Sequence, residues 1–85
     1  MSQEPRIPSD ALRKSVQDQV KPRTPALIVD AIAVQIHTAH EARERIDEEG
    51  SVVRDLRGAV VPHPAIKIEA DAIKIYTALL DKHKR

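Results

Sequence analysis

The sequence predicts a mainly α protein: a short N-terminal helix, a long central helix, a small β-hairpin and a C-terminal helix. Three observations carry this. Leu, Ile, Val and Ala recur at helical spacing over most of the 85 residues, a capping residue or proline precedes each periodic run, and two β-branched runs flank a glycine turn.

Residues 1–8 include Pro5 and Pro8 and few apolar groups, which predicts a flexible arm ahead of a single helical domain at 9–85. Ser9 is a good N-cap, and Leu12, Val16 and Val20 follow at i, i+4 and i+8, so a helix is expected from about Ser9 to Val20. Lys21-Pro22-Arg23 ends it, because the residue before a proline is driven out of helical geometry. Thr24 then reads as an N-cap with Pro25 at the first helical position. From there Leu27, Ile28, Ala31, Ile32, Val34, Ile36, Ala39, Ala42 and Ile46 form a long apolar pattern that closes at Gly50. Roughly 25 residues at 1.5 Å each span about 37 Å. The first half is apolar on two faces and is expected to meet more than one neighbour. The second half narrows to one stripe laced with charge, where Arg43/Asp47, Glu41/Arg45 and Arg45/Glu49 are i,i+4 pairs worth about 0.2–0.5 kcal/mol each.

Ser51-Val52-Val53-Arg54 and Ala59-Val60-Val61, joined by Asp55-Leu56-Arg57-Gly58, predict a hairpin at about 51–61. A lone two-stranded ribbon is marginal in water, so this one must lie on helices or on a neighbouring subunit. Pro62-His63-Pro64 holds the chain extended, and Pro64 opens a helix reaching Lys82 or beyond. Ile66, Ala70, Ile73, Thr77 and Leu80 make one stripe, widened by Ala65, Ala72, Ile75, Tyr76 and Leu79. More than half the circumference of this helix is apolar, and a chain this short offers few partners to cover it.

Composition narrows the function. Tyr76 is the sole aromatic residue, which makes for a thin core and favours oligomerisation. The absence of cysteine removes disulfides and thiolate chemistry and fits an intracellular protein. The most apolar run, Ala26–Ile36, is broken by Asp30 and Gln35, so no membrane partner is expected. The net charge of +1 is uninformative, but its distribution is not: residues 1–26 carry +2, residues 27–50 carry −4 and residues 51–85 carry +3. His37 and His40 stand at i,i+3 beside Glu41, without the i,i+4 spacing of a zinc-protease helix, so neither a metal nor any other cofactor is expected. His63, between two prolines, reads as a helix cap. Gly50 and Gly58 are the only glycines, too few for a phosphate-cradling loop, and no nucleophile–base–acid set can be assembled, so the chain is not expected to be an enzyme.

Duplex DNA is the chemical partner that remains. Arg13, Lys14, Lys21 and Arg23 form one candidate phosphate-binding patch, and Lys82, Lys84 and Arg85 a second. One Tyr is too little for stacking on single strands.

From Asp30 onward the chain resembles the small terminase subunits of tailed bacteriophages. The likeness rests on the long helix, Gly50-Ser51-Val52-Val53, the turn glycine Gly58, and the proline-led helix His63-Pro64-Ala65 extending to Leu79 and Leu80. Family members commonly have Asn where this chain has His63. The resemblance implies a homo-oligomeric ring that binds double-stranded viral DNA in the host cytoplasm and delivers it to the large terminase subunit. Subunit contacts are then expected at Leu27, Ile28, Ile32, Ile36, Val52, Val53, Val60, Ile75 and Leu79, and a charge at Ile32 or Ile36 is expected to dissociate the ring. Two other functions fit the same pattern. One is a dimeric regulator in which Lys21-Pro22-Arg23 is the turn of a helix-turn-helix and the long helix reads the major groove; the other is a helical protein–protein adaptor.

Overall fold

The structure, a computed structural model, describes residues 9–85; the arm expected at 1–8 lies outside them. The elements follow the expected order: α1 (Asp10–Gln19), α2 (Ala26–Glu49), β1 (Val52–Arg54), β2 (Val60–Pro62) and α3 (Pro64–His83). Helices α2 and α3 run antiparallel along each other, and α1 lies across the first half of α2.

Local chemistry accounts for most boundaries. Ser9 Oγ accepts a hydrogen bond from the Leu12 N–H at 3.2 Å, satisfying one of the unpaired donors of the first turn of α1. Gly50 ends α2 at φ +89°, a conformation costly for side chains with a Cβ, and its N–H donates to the Ile46 carbonyl. The start of α2 departs from expectation. Pro25 itself is the cap, its carbonyl accepting from Ile28 and Val29, while a turn between Lys21 and Thr24 uses the Thr24 N–H and leaves the Thr24 hydroxyl buried without a partner. Thr24 therefore stands one residue too early to cap.

The hairpin pairs Val52 with Pro62, Val53 with Val61 and Arg54 with Val60. Asp55 Oδ1 accepts from the N–H groups of Arg57 and Ala59 at 2.8 and 2.9 Å, which closes the turn around Gly58. Val53 and Val61 share the half-buried face; Val52, Arg54 and Val60 face outward.

The main core joins Val16 and Val20 to Val29, Ile32 and Ala33, with Leu12, Ile28, Ile36, Tyr76, Leu79 and Leu80 packed around them. A smaller cluster of Ala42, Ile46 and Ala65 closes the other end of the helix pair. Ile32 is wholly buried among its own chain, so it is no subunit contact, and a charge there would unfold the monomer before it tested any assembly. Ile28, Ile36 and Leu79 likewise spend most of their surface on this core. On α3 the face turned to α2 is Ala65, Glu69, Ala72, Tyr76 and Leu79, whereas Ile66, Ala70, Ile73 and Thr77 stay exposed. Small side chains suit the choice: Ala39, Ala42, Ala65 and Ala72 are all buried, with Ala42 and Ala65 in one cluster, and the spacing of two packed helices follows the size of the side chains between them.

Two polar contacts fix the pair. Arg43 Nε donates to Glu69 Oε2 at 2.7 Å and its Nη2 donates to Oε1, a bidentate bridge across the helices. This bridge, chiefly its hydrogen bonds, holds the Glu69 carboxyl below the usual range and raises the Arg43 guanidinium further. The second contact is His63, nearly fully buried. Its Nδ1 accepts from the Ala65 N–H at 2.9 Å, so Nδ1 is bare and Nε2–H donates to Glu49 Oε1 at 3.0 Å. That hydrogen bond lowers the Glu49 carboxyl. The backbone N–H of His63 donates to the Ser51 carbonyl, so one residue binds the end of α2, the base of the hairpin and the start of α3.

Replacing His63 by Ala should lower unfolding free energy by about 1–3 kcal/mol through loss of the cap and its packing, while His63→Asn, which can still cap, should recover part of it; urea unfolding would measure both. Glu49 and Glu69 have depressed folded-state values, so their stabilisation is complete above the ordinary Glu range near about 4.3 and is lost as pH falls through the depressed values. Accordingly, the stability gap between the native chain and Glu69→Gln should close as unfolding is followed from neutral pH into that acid window.

Candidate nucleic-acid interface

The two basic segments, some 60 residues apart in the chain, meet at one end of the molecule. Val20 and Lys84 form an antiparallel bridge; the Lys21 N–H donates to the His83 carbonyl at 2.9 Å and the Arg85 N–H to the Gln19 carbonyl at 3.2 Å. Lys21 and Arg23, on the turn leaving α1, thereby stand beside Lys82, Lys84 and Arg85, all five exposed. Residues 18–23 and 81–85 together hold five cationic side chains against Asp18 and Asp81. Lys84 Nζ lies 3.2 Å from Asp81 Oδ1, but both are exposed and such a contact is weak and readily exchanged for another anion. The backbone ladder holds these cations on rigid elements, and Lys82 also suits the negative end of the α3 dipole.

Arg13 does not join them. Its Nε lies 3.0 Å from Asp30 Oδ1, as an ion pair without hydrogen-bond geometry, and its Nη1 lies 3.5 Å from Asp10 Oδ1. Arg13 clamps α1 to α2 and its charge is already countered. Lys14 is exposed on α1 and makes no ion pair among the described residues.

The opposite end of α2, about 36 Å away for 24 residues, is acidic. Residues 41–49 hold five carboxylates and two guanidiniums. His37 pairs with Glu41 at 2.8 Å and His40 with Glu44 at 3.0 Å; Arg43 lies 3.8 Å from Asp47 and Arg45 3.6 Å from Glu49. The expected Glu41/Arg45 pair is replaced, each partner turning one helical turn the other way. No group of three His, Cys, Asp or Glu among the described residues is placed to hold a metal. Between α2 and α3 a shallow groove of about 170 Å³ is lined by Val34, His37, Thr38, Glu41, Ala42, Arg45 and Ile68. No helix among the described residues is long and apolar enough to cross a membrane.

A helix-turn-helix geometry is poorly served. The first turn of α2 is Ala26, Leu27, Ile28 and Val29, and the next residue, Asp30, is engaged by Arg13, so no polar side chain there is free to reach a base edge. Leu27, Val52, Val60 and Ile75 are the members of the expected subunit contact that are exposed, while Val53 turns to the inner face of the hairpin.

No protein-family model, curated protein or solved structure matches the chain.

Arg13→Gln should reduce thermal stability by up to about 1 kcal/mol, as loss of a partly exposed ion pair does, and leave duplex affinity nearly unchanged. Thermal melts beside mobility-shift titrations on the same variant would measure the two effects separately.

Proposed function

We propose that the chain is a non-catalytic, self-assembling protein that grips duplex DNA by its phosphates. Within that class it is a small terminase subunit: a homo-oligomeric ring that takes viral DNA in the host cytoplasm and passes it to the large terminase subunit. The observation that carries DNA binding is the backbone ladder between Val20–Lys21 and His83–Arg85, which gathers Lys21, Arg23, Lys82, Lys84 and Arg85 onto one end. Neutralising several phosphates releases condensed counterions, so a site of this kind binds in a salt-dependent and sequence-tolerant way. Repeating the site around a ring multiplies a weak contact into a firm one through high effective concentration. The acidic half of α2 lies far from this end, where it would repel a duplex least.

Lys21→Glu combined with Lys84→Glu should abolish the mobility shift of duplexes of unrelated sequence alike. Lys21→Gln alone should flatten the dependence of log K on log salt by about one contact. Retention of native affinity and slope in these variants would remove the cationic end as the DNA site.

A further inference from the structure

The backbone ladder at the cationic end joins two segments of the same sign. Its register sets Val20 opposite Lys84 and Lys21 opposite His83, with Arg85 diagonal to Lys21. Diagonal neighbours in an antiparallel pairing lie roughly 7–8 Å apart, within reach of long side chains, and like charges brought together in this way weaken the pairing. Lys84 alone of the five cations has an ion-pair partner among the described residues, Asp81 at 3.2 Å. Asp18 stands three residues before Lys21, and even with both carboxylates counted in full, five cations against two leave an excess of three positive charges.

Few backbone contacts hold the two segments against that repulsion. Among the described residues two backbone bonds span them, Lys21 N–H to the His83 carbonyl and Arg85 N–H to the Gln19 carbonyl. Helix α1, only 10 residues long, is too short to be stable alone and rests on the core through Leu12, Val16 and Val20. Opening the ladder would part Lys21 and Arg23, which follow α1, from Lys82, Lys84 and Arg85, which stay with α3. A phosphate backbone laid across this end meets all five cations only while the ladder is closed.

We infer that the ladder is an anion-operated clasp: repulsion among its cations opposes closure, and a polyphosphate bound across both segments tightens it and, with it, the seat of α1. The inference rests on the reading of this end as the DNA site and adds the coupling of that site to the fold. A ligand that makes more contacts with the closed form shifts the equilibrium toward it by the ratio of its two affinities. Added salt separates the two halves of the idea. Charges within about 10 Å are progressively screened above roughly 0.1 M salt, so salt tightens the free clasp, while the same salt weakens phosphate binding.

Amide hydrogen exchange of the full chain, followed by NMR, reads the clasp at the Lys21 and Arg85 N–H groups. The Asp55 N–H, bonded to the Ala59 carbonyl in the hairpin, serves as the reference. The free chain at low and high sodium chloride, Lys84→Gln, and the wild type with a duplex of mixed sequence are compared, with binding followed separately by fluorescence anisotropy. The expected result is protection of the Lys21 N–H that rises about fivefold or more with saturating duplex, and that also rises in the free chain with salt and in Lys84→Gln, while Asp55 is unmoved. Duplex that binds while Lys21 protection ignores duplex, salt and Lys84→Gln alike overturns the clasp and leaves the DNA reading standing. Protection that rises with salt and in Lys84→Gln, in a chain that binds no duplex, supports the clasp and removes DNA as its ligand. A fall in Lys21 protection in Lys84→Gln overturns the clasp, because repulsion is then not what opposes closure.

Discussion

A buried imidazole with both nitrogens committed organises this chain. Nδ1 of His63 accepts from the first turn of α3, which forces the proton onto Nε2 and turns that proton toward Glu49 at the end of α2. Its backbone closes the base of the hairpin on Ser51. Three elements that a 14-residue excursion, residues 50–63, could leave loosely related are thus set against one another at a single buried point. The antiparallel register of α2 and α3 follows from it: with Ala65 seated on Ala42 and Ile46, one turn further along α3 brings Glu69 to Arg43, and two further turns bring Tyr76 to the main core.

The closeness of that helix pair explains what is left outside. Alanines at the contact give backbone proximity at the expense of buried apolar area, so a chain with one aromatic residue must draw its hydrophobic stabilisation from a short stretch around Val16, Val20 and Ile32. Ile66, Ile68, Ile73 and Ile75 then flank the contact on both sides and remain at the surface. The described residues extend only 17 Å along their shortest axis, so each helix keeps a solvent face. Surplus apolar surface is a direct result of choosing small residues for the seam.

The order and limits of the elements are legible because punctuation in the sequence has local physical force: Ser9, Gly50, Gly58 and Pro64 each act within four residues of where they stand. Thr24 misleads because a turn beginning at Lys21 decides its place, and that turn is a matter of chain path. The face of α3 is not legible either, since periodicity ranks Ile above Ala for burial, whereas packing between two long helices rewards whichever residues let them close. As for the candidate site, every cation in it can be read off the sequence. What cannot be read is their meeting, because a bridge between Val20 and Lys84 leaves no local pattern, nor the removal of Arg13, whose partner Asp30 lies 17 positions on.

The bridge at Val20 and Lys84 also determines how the molecule would carry a pulling load. A segment held only by side chains peels away one contact at a time. Here the last residues of α3 run antiparallel to the exit of α1 and share backbone bonds with it, so tension applied at Lys84 is passed at once to a helix anchored in the core by Val16 and Val20. Residues 83–85 behave as a fastened strap, and load on them strains the body of the fold before it frays the last turn of α3.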